Sequence, residues 1–277
     1  MQSSMSSVGK SIRMKRIFKE DGRAVMVAIN HGLGMGPILG IEHMAETLDK
    51  IIPEQPDSLT IHKGIAVRFQ DHFAGKTALV LKTSNITRHF GPFEIMVGEA
   101  EEAAKLGADA IAVGLSLCDD LEKESIMNAA AMIREAEKFG IPTVAHSYPN
   151  GNLIPSSERY DVKNVGYATR VALELGIDII KTFWTGDARS FEEIVKLGSP
   201  AKVVISGGPR CDTLRDCFEM TYQGMQACAS GITYGRNIWQ HEYPAAVTRG
   251  LVAIVHQNAS VDEAMKIAED CAGTHLQ

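Results

Sequence analysis

The chain is poor in cysteine, has no long apolar run, and concentrates charge of neither sign. Its five cysteines, Cys118, Cys211, Cys217, Cys228 and Cys271, are odd in number and contain no Cys-x-x-Cys pair. That argues against a disulfide framework or a cysteine zinc site and fits thiols kept reduced in the cytosol. No stretch approaches the roughly 18 apolar residues of a membrane span. The N-terminal Met1-Gln2-Ser3-Ser4-Met5-Ser6-Ser7 lacks the apolar core of a signal peptide. A cytoplasmic protein without a membrane partner is therefore expected. The formal charge of −6, with no long basic run, argues against an extended nucleic-acid footprint and leaves room only for a local anion site. His241-Glu242 begins like a zinc-protease motif, but no second histidine follows four residues on, so no metal site is expected.

What the chain does contain is a repeated pattern. Leu106-Gly107-Ala108-Asp109 precedes Ala110-Ile111-Ala112-Val113-Gly114, and Phe139-Gly140-Ile141-Pro142 precedes Thr143-Val144-Ala145-His146. Leu175-Gly176-Ile177-Asp178 and Ala229-Ser230-Gly231 introduce two more such runs. Each is a helical stretch stopped by a glycine and followed at once by a short apolar strand, because glycine takes the left-handed helix-end conformation without a Cβ clash. The template places strands at 24–30, 58–62, 77–84, 110–116, 143–148, 177–183, 202–207 and 231–236. Helices are expected at 41–52, 93–106, 121–139, 162–175, 190–197 and 213–229, with a short one within 62–73; segments 247–256 and 261–271 close the chain. Eight strands alternating with helices predict a (β/α)₈ TIM barrel, with a doubly wound sheet as the alternative. No Pro/Ser/Gly-rich linker divides 1–277, so one domain is expected, with 1–20 as an N-terminal extension.

Barrel chemistry gathers at the C-terminal ends of the strands. Polar residues collect there: Asn30-His31, His62-Lys63, Lys82-Thr83-Ser84-Asn85, His146-Ser147-Tyr148 and Lys181 through Asp187. The seventh and eighth strands end in Ser206-Gly207-Gly208-Pro209-Arg210 and Tyr234-Gly235-Arg236-Asn237. Paired glycines let backbone N–H groups approach an anion, and an arginine offers a bidentate fork, so these two loops are a phosphate-site candidate. His31, His62 and His146 are acid–base candidates, or equally rim histidines with satisfied rings. Tyr148 is a proton-transfer candidate, or equally a packed tyrosine.

Lys181 is the fifth residue of an apolar, β-branched run, Ile177-Asp178-Ile179-Ile180-Lys181-Thr182-Phe183. Burial disfavours an ammonium and lowers its pKa, which makes the amine a usable nucleophile toward a carbonyl. The plain alternative is a lysine that reaches solvent or pairs with Asp178 or Asp187. Leu79-Val80-Leu81-Lys82-Thr83 offers the same pattern, and periodicity does not choose between Lys181 and Lys82.

Asp178-Ile179-Ile180-Lys181-Thr182 with Thr185-Gly186-Asp187, then Ile205-Ser206-Gly207-Gly208-Pro209, then Gly235-Arg236-Asn237 together resemble the archaeal-type class I fructose-bisphosphate aldolases. Aminodideoxyheptulosonate synthase and phospho-hydroxypentanedione thiolase are near relatives of that group. The resemblance spans nearly the whole chain, from Arg16-Ile17-Phe18 to Ala253-Ile254-Val255-His256. It implies Lys181 as the Schiff-base lysine, a covalent imine with no metal or separate cofactor, and Tyr148 as the proton-transfer residue. It also implies Ser206, Gly207, Gly208, Gly235 and Arg236 as a phosphate cradle, a sugar phosphate as the small-molecule partner, and a homo-oligomer, often decameric in such enzymes. The expected reaction cleaves fructose 1,6-bisphosphate to dihydroxyacetone phosphate and glyceraldehyde 3-phosphate.

Two positions depart from that pattern: Asn30 stands where the family has aspartate, and Asn150 where it has arginine. An amide cannot take a proton as a carboxylate can, so Asn30 is expected to orient a substrate hydroxyl through its oxygen. Ile61-His62-Lys63-Gly64-Ile65 and the segment from Val255-His256 to Ala259-Ser260-Val261 look like the synthase, which makes a synthase-like transaldolase the second reading. Acyl transfer of the thiolase kind is the third. A catalytically weakened sugar-phosphate binder is the reading from a different class, motivated by Asn30.

Overall fold

Eight of the apolar runs close on one another as a parallel barrel in a computed structural model, which describes residues 4–276. In chain order the strands are β1 (Ala24–Ala28), β2 (Ser58–Ile61), β3 (Ala78–Lys82), β4 (Ser84–Thr87), β5 (Phe90–Met96), β6 (Ala110–Ser116), β7 (Thr143–Tyr148), β8 (Ile179–Phe183), β9 (Lys202–Ser206) and β10 (Gly231–Tyr234). Around the barrel they run β1-β10-β9-β8-β7-β6-β3-β2, while β4 and β5 form a separate antiparallel hairpin. The expected TIM barrel is therefore present. Gly107, Gly140 and Gly176 hold the left-handed conformation that the helix stops require.

Side chains alternate across each strand, so one parity lines the barrel and the other meets the helices. Val25, Leu79, Val113, Ile180 and Ile205 belong to the outer core beneath the helices. Met26, Val80, Ala112, Val144, Ile179 and Val204 form the inner one. Following the inner parity upward, Val80 leads to Lys82, Ala112 to Gly114, Val144 to His146 and Tyr148, Ile179 to Lys181, and Val204 to Ser206. The lumen thus changes from apolar to polar along its axis. Runs buried on both faces hide this alternation in the sequence, because both parities are apolar below the rim.

The N-terminal segment does more than extend the chain. Its helix, Met5–Ile17, delivers Ile17 and Phe18 into the inner cluster beside Ala24, Ala78 and Ala110, the first residues of their strands, and so fills the base of the barrel. Arg16 reaches Asp109 at 3.0 Å and Lys10 reaches Asp178 at 3.2 Å, fixing the helix to turns at that base. Residues 1–3 of the expected extension, and Gln277, lie outside the described residues.

One expected helix is corrected. Segment 93–106 does not form a single helix: its first part is strand β5, and a short helix occupies Ala100–Lys105. Helix entry is set by Glu99 and Glu102, which make a reciprocal capping box. Upstream, Phe93-Glu94-Ile95-Met96 pairs with β4, which begins where β3 was expected to end. The connection from β2 to β3 holds two short helices, Lys63–Arg68 and Gln70–Phe73.

Candidate active site

Both candidate lysines point into the barrel, and their surroundings separate them. Lys82 is 2% exposed and donates to Ser84 Oγ at 3.0 Å and to the Glu94 carboxylate. Ser84 Oγ also donates to Glu94 Oε2 at 2.6 Å and accepts from Gly114 N at 2.7 Å. Lys82 is thus a buried ion pair with its hydrogen bonds made, and it is absent from the wall of the central cavity.

Lys181 is 6% exposed and forms no ion pair among the described residues. Asp178 is held by Lys10 and accepts from Thr143 N, and Asp187 caps the helix Ala188–Gly198. Neither carboxylate neutralises the amine. Burial first, then the positive charges of Lys82 and Arg236, bring Lys181 down to about 7, with Glu94 pulling the other way. The neutral amine is the nucleophile, so covalent capture of a carbonyl compound at Lys181 is expected to accelerate as pH rises and to level off above about 7. The rate should gain roughly tenfold between pH 6 and 8, whereas an ordinary lysine keeps climbing to about 10. Borohydride trapping rates across that range decide the matter; a rise continuing beyond pH 9 would show an unperturbed amine.

Lys181 opens onto a cavity of about 320 Å³, within the size range of small-molecule sites. Larger depressions of about 690 and 500 Å³ lie beside the loop after β1, but neither has Lys181 on its wall. The central cavity carries buried polar atoms without a protein partner: Asn30 Oδ1, His31 Nδ1, His146 Nε2 and Asn150 Oδ1. Buried polar groups need partners, so this wall suits a ligand rich in hydroxyl or phosphate oxygens.

The three histidines are neutral. Burial, then the Lys181 and Arg236 charges, hold His31 near 3. Burial and Lys82 hold His62 near 4, and burial with Lys181 keeps His146 well below its ordinary value. None gains a proton near pH 7. His62 is also fully engaged, with Nδ1 2.9 Å from the Lys82 carbonyl and Nε2 3.1 Å from Asn85 Nδ2. Since Asn85 Nδ2 can only donate, His62 Nε2 accepts and Nδ1 carries the proton.

Tyr148 donates to Ser206 Oγ at 3.0 Å, and its ring stacks on Phe183 with centroids 4.4 Å apart. Burial raises its pKa, so the phenol stays protonated. Ser206, Gly208, Pro209 and Arg236 line the cavity, whereas Gly207 and Gly235 are not on its wall. A Cβ on Gly235 would lie 2.6 Å from His31 Cε1, so that glycine gives clearance for the histidine ring. Arg236 Nη2 donates to the Gly208 carbonyl at 3.0 Å. Asn237 donates to the Gly207 carbonyl at 3.1 Å and accepts from Cys211 N at 2.8 Å, binding the two loops together.

Glu94 and Tyr160 line the same cavity and lie outside the segments to which the sequence points. For Glu94 the sequence held a faint signal: a charged residue alternating with Phe93 and Ile95, the period of a half-buried strand. Among the described residues no group of three His, Cys, Asp or Glu side chains is placed to hold a metal ion, and no helix is long and apolar enough to cross a membrane.

Residues 24–241 match the DeoC/LacD family aldolase description. The chain is 30% identical to the class 1 fructose-bisphosphate aldolase of Thermoproteus tenax, across 91% of this chain and 97% of that protein. It is 29% identical to the 2-amino-3,7-dideoxy-D-threo-hept-6-ulosonate synthase of Halobacterium salinarum, across 94% and 97% respectively. A solved Schiff-base-forming fructose-1,6-bisphosphate aldolase superposes with a TM-score of 0.82 at 29% identity, covering 89% of this chain and 100% of that one.

Proposed function

This chain belongs to the DeoC/LacD family of aldolases, and from that premise we propose that it is a class I, Schiff-base aldolase acting on a phosphorylated ketose, with fructose 1,6-bisphosphate as substrate. The observation that carries this reading is the buried, unpaired Lys181 amine on a cavity whose wall also holds Ser206, Gly208 and Arg236. Lys181 attacks the ketone, and the resulting iminium draws electrons from the neighbouring carbon–carbon bond. Tyr148, protonated and held by Ser206, gives its proton to the aldehyde oxygen in the synthetic direction and takes it back in cleavage. Asn30 Oδ1 is free to accept a hydrogen bond from a substrate hydroxyl, in keeping with an orienting role.

Borohydride trapping with dihydroxyacetone phosphate, followed by peptide mapping, tests the chemistry. An adduct on Lys181 is expected, and none on any lysine of the active protein would defeat the proposal. A synthase-like transaldolase is the second reading, supported by the similarity to the Halobacterium salinarum protein. Turnover of fructose 1,6-bisphosphate without a second acceptor separates the two.

Arg236→Ala is expected to weaken binding of a phosphorylated ketose. One charge-assisted hydrogen bond contributes roughly 1.5–3 kcal/mol, so affinity should fall about tenfold to a hundredfold. The unphosphorylated analogue should change little. Equal losses for both would mean that Arg236 acts through its bond to Gly208 on the loop alone.

A further inference from the structure

We propose that Asn85 is the positioning residue for Asn30: it ties the turn after β1 to the β4–β5 hairpin and so aims the Asn30 amide oxygen into the Lys181 cavity. The inference rests on the aldolase reading and assigns the residue that holds the hydroxyl acceptor of that site in place. Asn30 is 8% exposed, stands on the cavity wall, and has no protein partner for Oδ1. It lies two residues beyond the end of β1 at Ala28. An orienting oxygen needs a fixed direction, because a displacement of about 1 Å can cost about a hundredfold in rate.

Asn85 supplies that tie. Its Nδ2 donates to the Asn30 carbonyl at 3.0 Å and to His62 Nε2 at 3.1 Å, while its Oδ1 accepts from Ile86 N at 3.0 Å. A primary amide has two N–H donors, and here both are spent. Asn85 therefore has no donor left for a ligand, although it stands on the cavity wall and is only 5% exposed. His62 carries the tie onward, since its Nδ1–H donates to the Lys82 carbonyl at the end of β3. One amide of the hairpin thus joins the rims of β1, β2 and β3. Holding the Asn30 carbonyl fixes the following peptide plane, and with it the direction in which the side chain leaves the backbone.

A second contact seats the same turn. Gly32–Met35 form a short helix directly after His31. A Cβ at Gly34 would lie 2.7 Å from Ile86 Cγ1 and 3.0 Å from the Ile86 carbonyl oxygen, so only glycine permits this approach. The turn is therefore packed on Ile86 as well as hydrogen-bonded to Asn85. Across the hairpin Asn85 pairs with Ile95, the neighbour of Glu94. The hairpin that brings Glu94 to Lys82 also fixes Asn30.

The test is a double-mutant cycle on cleavage of fructose 1,6-bisphosphate. Asn85→Ala and Asn30→Ala are each expected to lower kcat about tenfold or more, as a misplaced contact does. KM should move less than about threefold, because Ser206, Gly208 and Arg236 are untouched. If Asn85 acts through Asn30, Asn30→Ala/Asn85→Ala is no slower than Asn30→Ala alone, whereas general structural damage multiplies with it. Asn85→Asp is measured alongside, since it keeps the volume and the acceptor for Ile86 N but has no amide donors. It should be as slow as Asn85→Ala. Multiplying losses, an Asn30→Ala or Asn85 variant as fast as the unaltered enzyme, or failure of both Asn85 variants to fold overturns the positioning role and leaves Lys181 as the imine lysine. Absence of any borohydride-trapped Lys181 adduct with dihydroxyacetone phosphate in the unaltered protein overturns the aldolase reading, and the inference with it.

Discussion

Replacing Lys181 with methionine is expected to abolish the borohydride-trapped adduct and to lower carbon–carbon cleavage by about 10⁴-fold or more, the scale seen when a covalent nucleophile is removed. Methionine keeps most of the side-chain volume but has no amine. The fold should not suffer, because Lys181 has no ion-pair partner to strand and its burial disfavours the charge it would carry. Thermal stability should stay level or rise. Steady-state cleavage of fructose 1,6-bisphosphate, trapping and a melting curve together check the prediction. An adduct that persists in Lys181→Met and maps to Lys82 would reverse the assignment of the two lysines.

Lys82→Met should show the opposite pattern. Here the partner is stranded: Glu94 and Ser84 are arranged around the ammonium, and its removal leaves a largely buried carboxylate without a counter-charge. Breaking one side of such a pair costs about 3 kcal/mol or more. Removing both charges in Lys82→Met/Glu94→Gln should return most of that stability, since paired burial contributes little net energy once desolvation is counted. Denaturant melts of the two single variants and the double variant measure the coupling. Any adduct that still forms in Lys82→Met should map to Lys181. A single variant as stable as the unaltered protein would mean that the Lys82–Glu94 contact is not a structural ion pair.

Much of the barrel could be read locally. Gly107, Gly140 and Gly176 announced helix ends followed immediately by apolar strands, and each takes the left-handed conformation that the reading requires. Polar residues at the C-terminal strand ends point to one rim, and Asn30, His31, Tyr148, Lys181, Ser206, Gly208 and Arg236 line one cavity there. Segment 93–106 suggests one helix because Phe93 to Leu106 carries enough apolar residues for a helical face, while the strand signal in Phe93-Glu94-Ile95-Met96 lasts only one hairpin arm. Its pairing with Ser84-Asn85-Ile86-Thr87 lies outside any helical window.

The sequence by itself determined the architecture, the rim at which polar groups collect, and the two lysines able to reach it, because these follow from short-range periodicity and backbone preference. The tertiary structure decided which lysine is free. Lys82 and Lys181 both follow apolar runs toward the C-terminal ends of their strands and share the inward parity, so nothing local separates them. Glu94 separates them. It crosses from a hairpin into the space left by Gly114 and pairs with Lys82, while Lys181 has no ion-pair partner among the described residues. The charge state of a buried amine depends on what packs beside it, and here the decisive neighbour belongs to a segment whose position is fixed by the closure of the barrel.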